Sequence, residues 1–369
     1  MISNQQTKDK KENVVNKSIV NNICAANSKQ ATAAGDENIF FNSIKLSFPD
    51  YKKIMLYEMD MLFLVDGGIN FLFFGSNFSD YVSTTLNYNF TSLQNTKYFN
   101  INKPTAVFLH GWGTSFVASV NQALAVAFIS RGDYNTIIVD WSKYASDPDY
   151  YEVAASINDQ ATFIVQVLIQ MQNAGYNLTS IYFMGHSLGA NILGRVGYQL
   201  IKNYNFTPTR ISGIEPTGVF FGNFNEWPTG ISLLFPILNF LNAKFVDIIH
   251  TDIYGQGENY PVGHMDFWPN FGHDQPACSI NPFYFTCNPW NDNCLNCNHI
   301  RSLKYFTESV SSGLVRKFKS RLCNGTNYFT SACYAVVASM GFYADNYANN
   351  PGNYFLTTTG VSPYSVSNF

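Results

Sequence analysis

Charge is what this chain has least of. Lys, Arg, Asp and Glu make up 13% of its 369 residues, against about 25% in an average soluble domain. The formal net charge is -3, so no basic field exists to gather nucleic acid or an anionic membrane, and neither is expected as a partner. Long apolar runs are scarce as well. The longest, Ile231 to Leu241, is interrupted by Pro236 and reaches about half of the ~20 residues a bilayer helix needs, so no transmembrane anchor is expected. The first residues, MISNQQTKDKKENVVNKSIVNN, lack the apolar stretch of a signal peptide, and no export route is visible at this end.

Cysteine is nearly absent from the first three quarters of the chain, where Cys24 stands alone. The other six, Cys278, Cys287, Cys294, Cys297, Cys323 and Cys333, fall in the last quarter. Such clustering fits local disulfides in an oxidising compartment; it also fits a metal site, because Cys294, Cys297 and His299 form a C-x-x-C-x-H that can hold zinc. Asn-x-Ser/Thr acceptors at Asn77, Asn89, Asn177, Asn205 and Asn324 agree with secretion.

What the chain does have is apolar substance: 46% of its residues are hydrophobic, enough to fill one large core. Residues 1–50 are polar and unpatterned and read as a disordered tail; residues 51–369 read as one domain. Within it FLFF (71–74), AVFL (106–109), TIIVDW (136–141) and SIYFM (180–184) are short β-rich runs separated by helical patterns. That alternation predicts a mostly parallel sheet flanked by helices. Asp159 to Gly175 carries Phe163, Ile164, Val167, Leu168 and Met171 at helical spacing. After Ile211 the regularity fades into Pro/Gly/Asn-rich segments, which in an open α/β sheet suggests a substrate-covering region.

The run SIYFM leads straight into Gly185-His186-Ser187-Leu188-Gly189 and then a helical pattern from Ala190 to Leu200. A G-x-S-x-G between strand and helix predicts a nucleophile elbow, a strained turn that lifts the Ser187 hydroxyl above the sheet edge. Such a serine needs two donors for the tetrahedral oxyanion. The Leu188 amide supplies one; the His110-Gly111-Trp112-Gly113 loop after AVFL offers the other through Trp112. A general base is expected downstream. His299 precedes the helical pattern Ser302 to Ser311, while His264 lies in an aromatic-rich loop, and the residues alone favour His299 only modestly. For the acid, Glu215 follows the run Ile211 to Ile214, but Asp247, Asp252 and Asp266 satisfy the same chain order.

KPTAVFLHGWGTS (103–115), IIVDWS (137–142), GHSLGA (185–190), ISGIEPTG (211–218), AKFVDIIHTD (243–252), GHMDFWPN (263–270) and CNHIRSLKYFTES (297–309) occur in this order. Together they resemble the pancreatic-type lipase family, which includes triacylglycerol lipases and secreted phospholipases A1, over about residue 55 to the C-terminus. The resemblance implies an α/β-hydrolase fold with a lid loop, Ser187 as nucleophile, His299 as base, Glu215 as acid, and the Trp112 and Leu188 amides as oxyanion hole. It implies disulfides Cys278–Cys297 at the lid and Cys323–Cys333, with Cys287 and Cys294 paired inside the lid. It further implies a secreted enzyme that cleaves lipid carboxylic esters at a lipid–water interface without cofactor or metal. Two departures stand out. The family usually has Asp where Glu215 stands, and the β-sandwich of the full-length lipases is missing here, so no colipase-type docking domain is expected. The loop lengths point neither to phospholipid nor to neutral glyceride. The rival reading is a lipid-binding or storage protein on the same scaffold, as in yolk proteins that resemble this family; those have lost the serine that Ser187 retains.

Overall fold

The computed structural model of the protein describes residues 68–219, 221, 238–278, 296–311, 318–325 and 332–366. The expected polar tail lies outside these residues, as do the Cys287–Cys294 pairing and most of the two apolar loop segments, 222–237 and 279–295.

The strands of the described residues form one sheet in the order β10-β9-β11-β8-β7-β6-β5-β3-β4-β1-β2. Its centre is parallel: β3 (Thr105–Leu109), β4 (Asn135–Asp140), β5 (Ile181–Ser187), β6 (Arg210–Pro216), β7 (Phe245–Ile249), β8 (Met265–Pro269) and β11 (Gly352–Leu356). Antiparallel strands close both sides, β1 (Asn70–Phe74) with β2 (Tyr81–Thr84) on one, β9 (Phe318–Cys323) with β10 (Cys333–Met340) on the other. Of the apolar runs read from the sequence, AVFL, TIIVDW and SIYFM are the central strands β3, β4 and β5 and FLFF is the antiparallel β1; they look continuous because both faces are covered. Along them successive side chains enter two separate cores: Val107, Leu109, Ile137, Val139 and Phe183 on one side, Ala106, Phe108, Ile138, Tyr182 and Met184 on the other.

Helices fill each side. α1 (Ser119–Arg131) and α4 (Cys297–Ser311) pack together on one face; α2 (Ile157–Asn173) and α3 (Leu188–Tyr204) pack on the other. α2 buries Phe163, Ile164, Val167, Leu168 and Met171, as their spacing predicts, together with Ile157, Ala161 and Val165. α4 begins five residues earlier than the pattern Ser302 to Ser311 suggests, at Cys297, so His299 lies in its first turn. A disulfide from Cys278 to Cys297 holds that turn. The four strands from Met265 onward were not legible in the sequence, because their short runs mix Asp, Lys, Ser, Arg, Cys, Gly and Asn with the apolar residues.

At the amino-terminal end of the sheet Arg210 and Asp247 form a buried ion pair, with Nε 2.9 Å from Oδ1. Ser212 Oγ donates to the same carboxylate at 2.7 Å, and the guanidinium reaches the Phe342 carbonyl at 2.8 Å. Arg210 Nη1 also lies 3.1 Å from the exposed Asp345 carboxylate; that second pair is screened by water, so removing Asp247 still takes away the buried counter-charge, a change that typically costs about 3–5 kcal/mol. Asp247→Ala is therefore expected to lower the unfolding free energy by about that amount in urea titration; a loss below about 1 kcal/mol would mean that the pair is idle.

Candidate active site

Ser187 ends β5 and is the N-cap of α3, with φ 55° and ψ -127°. That conformation is strained for any residue with a Cβ, and a strand running directly into a helix leaves no longer connection to avoid it. The turn fits because its neighbours are small. A Cβ on Gly189 would lie 2.4 Å from the His110 carbonyl oxygen, and one on Gly111 would lie 3.0 Å from the Ser187 Cβ. The HGWG loop and the elbow thus touch through their glycines.

The loop is pinned from behind. His110 is fully buried, its Nε2 3.0 Å from Asp140 Oδ1 and its Nδ1 3.0 Å from the Gly111 oxygen. Trp141 Nε1 donates to the His110 carbonyl at 2.7 Å. On the outer side Trp112 Nε1 donates to the Asp147 carbonyl at 2.7 Å, and the Gly113 amide to that of Ala145 at 2.7 Å. The Leu188 amide is the first N–H of α3 and has no partner within the helix.

Glu215 is the next-to-last residue of the adjacent strand β6, whose final residue, Pro216, pairs with Ser187. Its φ is also positive, 52°. The side chain is wholly buried, and its carboxylate is held by the loop after β7: Oε2 accepts from the Thr251 amide and hydroxyl, and Oε1 accepts from the Asp252 amide at 3.1 Å. Burial pushes the Glu215 carboxyl well above the usual range, and the Thr251 hydroxyl opposes that rise.

His299 is 4% exposed, and its ring stands 4.9 Å from that of His186. Neither ring nitrogen has a hydrogen-bond partner among the described residues. Burial, reinforced by His186, holds its pKa well below that of a free histidine. His186 itself is pushed down to about 4 by burial, and its Nε2 meets the His299 carbonyl at 3.4 Å. A neutral imidazole is the form that accepts a proton. Ser187 and Glu215 thus lie at the ends of adjacent strands at one edge of the sheet, His299 packs against the residue before the serine, and no hydrogen bond yet joins His299 to either. Catalytic hydrogen bonds commonly close only around substrate.

The other candidates are engaged elsewhere. His250 pairs with Asp266 through Nε2 at 2.9 Å and stacks on Trp268 with ring centroids 3.8 Å apart. His264 Nδ1 accepts from the Val246 amide at 3.0 Å, and His273 pairs with Asp274 on the surface. Asp247 belongs to Arg210. Asp252 takes a hydrogen bond from the Asn298 side chain and another from the Gln256 amide at 3.0 Å. Two surface cavities, about 370 and 460 Å³, open at the amino-terminal edge of the sheet, one beside His264 and Gly352 and the other beside Thr209 and Arg210, away from Ser187. Sequence reasoning missed Thr251, although it sits in the quoted HTD block; a hydroxyl just past a strand end was its one signal. It also missed Asp140, the partner of His110.

Cys278 is bonded to Cys297, with Cα atoms 5.4 Å apart, and Cys323 to Cys333, as the resemblance implied. The first bond takes up the Cys297 sulfur that a zinc site would need.

A mostly parallel sheet with a serine elbow at its carboxyl edge defines the α/β-hydrolase class. The family model Lipase matches residues 64–364, and the chain belongs to that family. Lipase member H-A of Xenopus laevis is 32% identical over 73% of this chain and 57% of its own length. Pancreatic lipase-related protein 2 of Cavia porcellus is 31% identical over 72% and 58%, and inactive pancreatic lipase-related protein 1 of Mus musculus 30% identical over 70% and 56%. The chain thus spans somewhat more than half the length of these relatives. Among solved structures, the α/β hydrolase MGS-M1 from a deep-sea metagenome library aligns at 14% identity over 50% of this chain and 64% of that one, with a TM-score of 0.29.

The Cys278–Cys297 bond closes a separation of 19 residues and anchors the turn that carries His299. Replacing both cysteines by alanine is expected to cost about 2–4 kcal/mol of stability and to lower turnover at a temperature where the protein remains folded. Unchanged melting and turnover would show the bond to be dispensable for the site.

Proposed function

We propose that the chain hydrolyses carboxylic esters of lipids through Ser187, His299 and Glu215. The observation that carries this reading is Ser187 at φ 55° between strand and helix, with the HGWG loop packed against it. The Ser187 oxygen attacks the ester carbonyl carbon while His299 takes the hydroxyl proton. Negative charge develops on the carbonyl oxygen, within reach of the Leu188 and Trp112 amides, whose dipoles are already oriented by the helix start and the pinned loop. Collapse of the tetrahedral species breaks the ester bond, His299 gives its proton to the departing alcohol, and an acyl group remains on Ser187. Water, deprotonated by His299, attacks that acyl group and releases the fatty acid. Glu215 orients the imidazole and stabilises it when it is charged.

The substrate class is a glyceride or phospholipid ester met at a lipid–water interface. Membership of the Lipase family supports it. So do the apolar residues exposed at the carboxyl side of the sheet, among them Trp112 and Tyr254. No helix of the described residues is long and apolar enough to cross a membrane. Two disulfides support an extracellular setting. The chemistry calls for no cofactor.

Ser187→Ala is expected to lower hydrolysis of a short-chain chromogenic ester by at least about 10³-fold with folding intact, and Glu215→Gln by about 10²-fold or more. The rival, a binding protein on this scaffold, predicts instead that the wild type already lacks turnover. If Glu215→Gln were harmless and Asp252→Asn lethal, the acid would lie on β7's loop instead.

A further inference from the structure

The carboxylate of Glu215 is enclosed, and its hydrogen-bond donors among the described residues come from two consecutive positions. Thr251 gives an amide and a hydroxyl to Oε2; Asp252 gives an amide to Oε1. Thr251 is itself fully buried, and its carbonyl accepts from Gln275 Nε2 at 3.1 Å. Gln275 Nε2 also reaches the Pro269 and His273 carbonyls, so the turn after β7 is tied to the loop after β8 and cannot drift away from Glu215.

A carboxyl group shut away from water tends to hold its proton, and only donors aimed at the anion oppose that tendency. Of the donors here, two are backbone amides that any residue would supply. The Thr251 hydroxyl is the one that depends on the side chain. A protonated Glu215 could neither orient a neutral imidazole in the productive tautomer nor stabilise an imidazolium.

We infer that Thr251 is a positioning residue of the hydrolytic site, whose hydroxyl keeps Glu215 in its anionic form and aims it for His299. This rests on the triad reading above. The ionisable groups on the elements packed around Glu215 include Asp252 beside Thr251, whose charge pushes Glu215 further up; His250 just before Thr251, engaged at 2.9 Å by both Asp266 and the Glu258 carbonyl; Glu258, whose amide donates to the Pro216 carbonyl at 2.8 Å; and His186 and His299, whose protonation burial opposes. Arg210 and Asp247, toward the amino-terminal end of β6 and β7, are paired with each other, and among the described residues no ion pair reaches the Glu215 carboxylate, which leaves the hydrogen bonds to hold it. The acid limb of a pH–rate profile is therefore expected to belong to Glu215 and His299 together.

The test is the pH profile of kcat/KM on a soluble short-chain ester for wild type, Thr251→Val and Thr251→Ser, each also in a Glu215→Gln background. Thr251→Val keeps the shape and loses the hydroxyl. It is expected to lower kcat/KM about tenfold at neutral pH and to move the acid limb upward by about one pH unit. Thr251→Ser restores the donor and is expected to return the wild-type limb. With Gln at 215 there is no carboxylate to ionise, so Thr251→Val should add less than about twofold. A Thr251→Val enzyme that loses rate with its acid limb in place, or a serine variant that behaves like valine, would overturn the inference and reduce Thr251 to packing. If Glu215→Gln is itself harmless, the triad reading fails and this inference fails with it; if Glu215→Gln is crippling and the valine limb does not move, only the role of Thr251 is lost.

Discussion

Two non-glycine residues at the ends of adjacent parallel strands, Ser187 at φ 55° and Glu215 at φ 52°, are held in a backbone region that costs about 1–3 kcal/mol each. The rest of the site depends on that constraint being enforced. At Ser187 it is enforced by the immediate passage from β5 into α3, whose first residues are buried between the sheet and its neighbours. At Glu215 it is enforced by the grip of the Thr251–Asp252 turn on the carboxylate. The large twofold core, with side chains of the central strands entering both faces, supplies the rigidity against which such strain can be held.

Low charge content has a counterpart in how the site is built. With few ionic groups available, its histidines and its acid are set by burial: His186 and His299 are kept neutral, and Glu215 is pulled toward protonation. At Glu215 the donors of Thr251 and Asp252 oppose that pull. His110 with Asp140 fixes the loop that holds the Trp112 amide; Thr251 fixes the acid; the Cys278–Cys297 bond fixes the turn of the base. Each group of the proposed site thus has its own anchor on a different element.

The centre of the fold was legible because parallel strands covered on both faces leave long apolar runs, as TIIVDW and SIYFM show, and because an elbow needs small residues at fixed positions. The Ser187 motif and the HGWG loop could be read directly for that reason. The edge strands were not legible: β9 alternates buried and exposed positions but places Ser320 inward between Lys319 and Arg321, and β10 exposes its first five residues, Cys333 to Val337, in a row. The base and acid were less visible still. His299 became the favoured histidine through the family blocks, and only three-dimensional pairing shows that His250, His264 and Asp247 are committed elsewhere. Thr251 was hidden because a hydrogen bond between ends of neighbouring strands has no fixed spacing in the chain.

The proposed reaction stands on Ser187 being an activated nucleophile. The direct measurement is reaction of the folded protein with an alkyl fluorophosphonate, followed by intact-mass analysis and peptide mapping. One adduct per chain is expected, located on the peptide bearing Gly185 to Gly189 and lost in denaturant. No adduct on the native protein, or an adduct elsewhere with Ser187 unmodified, would contradict the proposed reaction and leave the scaffold as a lipid-binding one.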